Sequence, residues 1–221
     1  MIELKNVTKI FTVNSNDEVV ALKDINLTIP KGKLTILKGA SGSGKSTILS
    51  LIAALSKPTT GEVIVAGKRV SKLVDDFASV FRRENIGFVF QKYNLIPTLT
   101  VKENIIIPLI PTNPDPKLLE KKVKNVLEKF EISDKENIPV KNLSGGEQQR
   151  VAISRALINN PPIIIADEPT ANLDEKLSKN FIQILKLLKD EGKTIVVATH
   201  DPLFFDLDFV DKTIEIKNGK C

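Results

Sequence analysis

The sequence predicts an α/β protein: a mostly parallel, doubly wound sheet carrying an N-terminal antiparallel β layer and an inserted helical subdomain. Three observations predict it. The runs Leu34-Thr35-Ile36-Leu37, Ile86-Gly87-Phe88-Val89-Phe90, Ile163-Ile164-Ile165-Ala166 and Thr194-Ile195-Val196-Val197-Ala198 are nearly continuous and rich in β-branched residues, which suits parallel strands buried on both faces. Helical periodicity separates them, the alternation of a sheet covered by helices. Between about 92 and 158 that rhythm breaks into several helices in succession.

In chain order, the first thirty residues alternate apolar and polar positions (Ile2, Leu4, Val7; then Val20, Leu22, Ile25, Leu27, Ile29), predicting half-exposed antiparallel strands joined near Asn14-Ser15-Asn16-Asp17. Helical patterns cover 44–54 and 175–191. In the second, Leu177, Phe181, Ile184, Leu185 and Leu188 share a face and Gly192 ends the pattern. The inserted segment holds a helix near 101–107, another from Pro116 to Phe130, and a third starting at Ser144. Asp115 and Pro116 supply an N-cap and first-turn proline, and Leu119, Val123, Val126, Leu127 and Phe130 face away from Lys121, Lys122, Lys124 and Glu128, a solvated surface. The four prolines between 108 and 116 mark a joint between helices. The organisation expected is therefore a core of 1–91 with 159–221 and a helical subdomain of 92–158.

The 221 residues suffice for one sizeable domain or a core with a subdomain. The net charge of +5 comes from 32 basic and 27 acidic residues that are interspersed, which argues against nucleic acid as a partner. Cys221 alone can close no intramolecular disulfide, in keeping with a reducing cytosol. No apolar run approaches the roughly 20 residues of a membrane helix, and the N-terminus shows no basic-then-apolar signal.

Gly39-Ala40-Ser41-Gly42-Ser43-Gly44-Lys45-Ser46-Thr47 satisfies the P-loop pattern, after a buried strand and before a helix. Glycines let backbone N–H groups curl around a β-phosphate, and the helix N-terminus adds partial positive charge. Lys45 would bridge β- and γ-phosphates and Ser46 would offer its hydroxyl to Mg²⁺. The strand 163–166 then ends in Asp167 and Glu168, where carboxylates are costly unless they meet a cation. Asp167 is expected to hold Mg²⁺ through water. Glu168 is the candidate general base for an attacking water, or else a solvent-exposed strand end.

His200 is the only histidine, and a lone histidine is usually structural. Registration gives it a role, because Gly39, Gln91, Asp167 with Glu168, and His200 all follow buried strands. Ligands in open α/β sheets bind outside strand carboxyl ends. His200 would then donate to the γ-phosphate, and Gln91 would touch Mg²⁺ or the attacking water.

In Leu143-Ser144-Gly145-Gly146-Glu147-Gln148-Gln149-Arg150, Ser144 and Glu147 form a capping box for a helix running through Leu157. Capping does not require two glycines, and bare N–H groups at Gly145 and Gly146 make a second anion site.

That octet is similar to the signature of ABC transporter ATPases. Taken in order with residues 39–47, Gln91, 163–168, Ala171-Asn172-Leu173-Asp174 and His200, it gives a resemblance over essentially the whole chain. Within the family, Ile86-Gly87-Phe88-Val89-Phe90-Gln91-Lys92-Tyr93-Asn94-Leu95-Ile96-Pro97 most resembles the branch of lipoprotein-releasing, macrolide- or peptide-exporting and cell-division ATPases. The resemblance implies a P-loop, RecA-like core and two copies, or two homologous subunits, packed head to tail. Ser144 and Gly146 of one copy would contact the γ-phosphate held by Lys45 of the other, with Asp174 at the interface. It implies ATP and Mg²⁺ as cofactors, ATP hydrolysis as the activity, and a cytoplasmic place on the inner face of the membrane beside a permease subunit. Export is the expected direction, with force transmission to an extracytoplasmic enzyme as the alternative. Phe11 stands where the family more often has an adenine-stacking tyrosine, and it also suits the core of the β layer. Tyr93, Leu95, Ile96 and Pro97 fall where the family receives a cytoplasmic helix of its membrane partner, or they pack internally. Fewer than a hundred residues separate Thr47 from Leu143, too few for the coiled coil of DNA-repair and chromosome-architecture relatives. A single cassette argues against the ribosome-acting factors, and a plain P-loop kinase or GTPase would leave 143–150 unexplained.

Overall fold

The computed structural model describes every residue except Ser15, Asn16 and Asn172. The strands in chain order are β1 (Ile2–Asn14), β2 (Asp17–Ile29), β3 (Leu34–Lys38), β4 (Thr60–Val65), β5 (Lys68–Arg69), β6 (Ile86–Val89), β7 (Ile163–Asp167), β8 (Thr194–Thr199) and β9 (Lys212–Glu215). The α-helices are α1 (Lys45–Ile52), α2 (Asp75–Asn85), α3 (Val101–Ile106), α4 (Pro116–Lys129), α5 (Gly145–Leu157) and α6 (Glu175–Asp190).

The β-branched runs behave as their composition requires. They form a five-stranded sheet in the order β6-β7-β8-β3-β9, with every neighbouring pair parallel. Alternate side chains leave opposite faces. Ile163, Ile165, Val196 and Ala198 join Leu49 and Ile52 of α1 on one side, while Ile164, Ala166, Ile195 and Val197 join Ile153 of α5 and Phe181 of α6 on the other. Each such aliphatic side chain removed from water contributes about 1.5–3 kcal/mol.

The N-terminal strands pair antiparallel, Ile2 opposite Ile29 and Phe11 opposite Val19. Two strands beyond α1 extend them to the order β2-β1-β4-β5. Their inward residues, including Ile2, Leu4, Val7, Ile25, Val63 and Val65, enter the same cluster as α1, so this layer closes one face of the parallel sheet. The joint expected between β1 and β2 lies partly outside the described residues, since Ser15 and Asn16 are not among them.

A third apolar cluster is built by residues within 95–158, among them Val101, Ile105, Val123, Leu127, Val140 and Val151. The capping devices read from sequence are present. Asp115 accepts from the amides of Lys117 and Leu118 at 3.0 Å each, with Pro116 at the first turn of α4. The proline-rich joint between α3 and α4 is itself ordered as a 3-10 helix over Ile107–Thr112 with Leu109 buried. Among the described residues no helix is long and apolar enough to cross a membrane.

Candidate active site

Residues 39–44 join the end of β3 to α1, and at Gly39 and Gly44 the turn leaves no room for a side chain. A Cβ on Gly39 would lie 2.3 Å from the Ile216 carbonyl oxygen, and one on Gly44 would lie 2.7 Å from Leu22 Cδ2. Gly44 also has φ 107° as the N-cap of α1, a region that L side chains rarely adopt. Residues 38–43 line an open cleft of about 440 Å³, faced by His200, Phe205 and 215–218. Ala40, Ser41 and Gly42 form its wall, Ser43 Oγ is buried there without a hydrogen-bond partner, and Thr47 lies in the first turn of α1.

Lys45 is 4% exposed, so its charge must be satisfied locally. Its Nζ donates to the Gly39 and Ala40 carbonyls at 2.7 and 3.1 Å and pairs with Glu168 Oε1 at 3.2 Å. Next to it, Ser46 Oγ donates to Asp167 Oδ1 at 2.9 Å. Burial pushes the Asp167 carboxyl above the usual range, the Ser46 hydrogen bond lowers it, and the Glu168 charge raises it further. Ser46 and Asp167 thus bring two hard oxygen donors together, the chemistry Mg²⁺ takes when substrate phosphates and water complete its shell.

Glu168 is no solvent-exposed strand end. Its side chain is 12% accessible and its backbone has φ 43°, held by its amide donating to the Ala198 carbonyl at 2.8 Å. Oε2 accepts from the His200 amide at 3.3 Å and stands 3.0 Å from His200 Nδ1. An ionised carboxylate there makes Nδ1 the donor and leaves Nε2 as the second polar atom of a ring that is 64% exposed. Lys45, Glu168 and His200 form one connected chain across the carboxyl ends of β3, β7 and β8. Gln91 lies two residues past the last pair of β6, Val89 with Ala166, and is exposed.

The 144–147 segment adopts the capping box in full. Ser144 N and Oγ both donate to Glu147 Oε2 at 2.8 Å, and the Glu147 amide donates back at 3.4 Å. Those bonds hold the Glu147 carboxyl below its usual range. Gly145 is open, a Cβ there meeting nothing within 4 Å. Gly146 has a packing reason besides its bare amide, because its Cβ would meet Leu177 of α6 at 2.8 Å. Asp174 caps α6 by accepting from the Leu177 amide at 2.8 Å. Asn172, two residues before it, lies outside the described residues. Phe11 is 42% exposed on β1, with Lys9 Nζ 4.8 Å from its ring centroid, so it does not serve the core of the β layer. Of the second group left open by the sequence, Leu95 packs against the helical cluster and Ile96 is 45% exposed.

Sequence reasoning missed the residues that fasten the site's loops. Gln149, buried on α5, donates to the Pro169 carbonyl at 2.9 Å. Thr170 donates to Asp201 at 2.7 Å, joining the loops after β7 and β8. Arg155 splits its guanidinium between the Tyr93 and Asn94 carbonyls at 2.5 Å each, where both residues have positive φ. For Gln149 and Arg155 the sequence signal was a polar residue among the apolar positions of α5, and Thr170 and Asp201 carried none.

The sequence profile described as ABC transporter matches residues 22–171, more than half of the chain. The chain belongs to the ABC transporter family. This cassette is 47% identical to the uncharacterised ABC transporter ATP-binding protein MJ0796 of Methanocaldococcus jannaschii, over all of this chain and 94% of that one. It is 40% identical to the macrolide export ATP-binding/permease protein MacB of Salmonella choleraesuis, of which it spans 34%. A dimeric structure of MJ0796 in a post-hydrolysis state bound to ADP and Pi superposes with a TM-score of 0.91 at 44% identity, covering 100% of this chain and 96% of that chain. The cassette cbiO1 of Clostridium perfringens, part of the complex cbiONQ, gives 0.82 at 29% identity, covering 99% and 85%. The P-loop α/β fold read from sequence is the fold of these relatives, and the cassette is an ATP-binding, ATP-hydrolysing subunit of the ABC type.

Proposed function

We propose that this chain is the motor subunit of a membrane transport complex and works by closing, with ATP, into a head-to-tail dimer. The observation that carries the reading is the connected chain Lys45–Glu168–His200 at the strand ends, running from a buried lysine to an exposed histidine, beside the Ser46–Asp167 pair. In that reading, residues 39–47 bind the phosphates, and Ser144, Gly145, Gly146 and Glu147 of a second copy complete the site from the other side. Asp174 lies at their border, and Phe11 stacks on adenine. Glu168 takes the proton of the attacking water while His200 holds the γ-phosphate side. Lys45, now turned to Gly39, Ala40 and Glu168, exchanges those partners for phosphate oxygens.

Mg²⁺, held by Ser46 and Asp167 with Gln91 nearby, would supply charge neutralisation of the phosphates when bound. Residues 92–158 form the subdomain that moves the 144–147 segment relative to the sheet domain of 1–91 and 159–221. The partner is an integral membrane permease, and this chain sits against its cytoplasmic side. The name of MacB supports that arrangement, because it joins ATP-binding and permease functions in one protein of which this chain matches a third. Export is the favoured direction on the same ground.

The experiment is to purify the complex from its native membrane and identify what accompanies the chain. An integral membrane subunit whose addition raises ATPase activity is the expected result, and recovery with soluble partners only would overturn the reading.

A further inference from the structure

Beside the phosphate loop lies a tight turn over 217–220, of which Lys217 and Asn218 line the same cleft as residues 38–43. Lys217 and Lys220 exchange backbone hydrogen bonds at 2.9 and 3.0 Å, and between them Gly219 is buried with φ 72°. Its amide donates to the Ser43 carbonyl at 2.9 Å, and its carbonyl accepts from the Lys23 amide of β2 at 2.8 Å. One residue therefore bridges the phosphate loop and the antiparallel sheet. The approach is backbone to backbone: a Cβ on Gly219 would lie 2.6 Å from the Ala21 carbonyl oxygen, and a Cβ on Gly44 would lie 2.9 Å from the same atom. Three residues before Gly219, buried Ile216 donates its amide to the Lys38 carbonyl at 2.7 Å and sets its own carbonyl against Gly39.

The consequence follows from peptide geometry. In a trans peptide the C=O and N–H point in opposite directions. Holding the Ser43 carbonyl on Gly219 therefore fixes the plane of the Ser43–Gly44 peptide and aims the Gly44 N–H away from the turn, to the other side of the loop. A loop built on glycines has little stiffness of its own. We infer that Gly219 is a positioning residue for nucleotide binding: it braces the phosphate loop through the Ser43 carbonyl and sets its place relative to the antiparallel sheet that carries Phe11. The inference rests on the reading that residues 39–47 bind nucleotide. The profile match of the family, 22–171, stops well short of this turn.

The test compares Gly219→Ala with Gly192→Ala in the full chain. Gly192 has an equally unfavourable φ of 79° but a Cβ there meets nothing within 4 Å, so its substitution carries the backbone strain without touching the loop. Both variants should melt lower than the parent. Only Gly219→Ala should weaken ADP binding by calorimetry, by about tenfold or more, and raise the KM for ATP more than it lowers kcat, because a displaced cradle loses its ligand steeply. Equal ADP affinities in the two variants would overturn the inference. A measurement on the unaltered protein covers the case in which Gly219→Ala does not fold. Bound ADP should slow exchange of the Gly219 amide, which donates to the Ser43 carbonyl and does not line the cleft, and exchange unchanged there while ADP is bound overturns the brace. If ADP does not bind at all, the nucleotide reading itself falls and the brace with it.

Discussion

Lys45 Nζ and Glu168 Oε1 lie 3.2 Å apart in a site where the lysine is almost wholly buried, so the residue assigned to phosphate and the residue assigned to water neutralise each other. Glu168→Gln removes that charge but leaves Lys45 its bonds to the Gly39 and Ala40 carbonyls. The variant should bind ATP at least as well as the parent, lose about 10² to 10⁴ in turnover, and accumulate as an ATP-bound dimer on size-exclusion chromatography. Undiminished turnover would remove Glu168 as the base.

Ser144 has two tasks that substitution separates. As the N-cap of α5 it contributes about 1 kcal/mol. In the proposed dimer its hydroxyl and the Gly146 amide face the nucleotide of the other copy. Ser144→Arg should therefore lower the melting temperature by only about 2–4 °C. Combined with Glu168→Gln, it should abolish ATP-dependent dimers in light scattering, and dimers of normal yield would refute the trans site.

Phe11 is exposed with no core task, so its removal should cost little stability. Stacking of an aromatic ring on a base is worth about 1–3 kcal/mol. Phe11→Ala should accordingly weaken ATP binding about tenfold or more while Phe11→Tyr retains it. Unchanged affinity in the alanine variant would place adenine elsewhere.

Asp211 ties the approach of β9 to the sheet. Although burial pushes its carboxyl up, hydrogen bonds from Lys189, the Leu34 amide and Lys33 outweigh that and bring it from 3.8 to about 2. A native carboxyl with a depressed pKa stabilises the fold above the unfolded value and loses that contribution as pH falls through the native one. Asp211→Asn should thus cost about 1–2 kcal/mol at neutral pH, after allowance for solvent screening. The difference in melting between variant and parent should shrink between pH 4 and pH 2, and a difference constant over that range would refute the assignment.

The strands legible in the sequence are those with a long apolar run, β3, β6, β7 and β8, and the alternating pair β1 and β2. Those that were not legible are β4, whose apolar run is only Val63-Ile64-Val65, and two edge pieces with little apolar content: the two residues Lys68 and Arg69 of β5, and β9, where Ile214 is the only aliphatic side chain. Their identity comes from a partner strand, such as Ile64 opposite Arg69, which no local pattern encodes. The same holds at the site. Residues 39–47, Asp167 and Glu168 announce themselves through type and spacing, since phosphates and cations demand glycines, a lysine and carboxylates there. The Thr170–Asp201 and Gln149–Pro169 bonds do not, because ordinary polar residues become fastenings only when the fold brings distant loops together. The two glycines at 145 and 146 show the limit of reading by type alone, one open to solvent and the other required by Leu177.

β3, which launches the phosphate loop, is paired on one side with β8 and on the other with β9. Its two flanking neighbours, starting at Thr194 and Lys212, are thus made 160 residues or more after it starts at Leu34. During synthesis the loop would emerge early and wait, its strand unpaired, while most of the protein is still to come. Contacts of such sequence separation form slowly because the chain entropy they remove is large. ATP cannot assist the early stages of this protein's folding, and nascent chains arrested before Thr194 should not be retained on immobilised ATP.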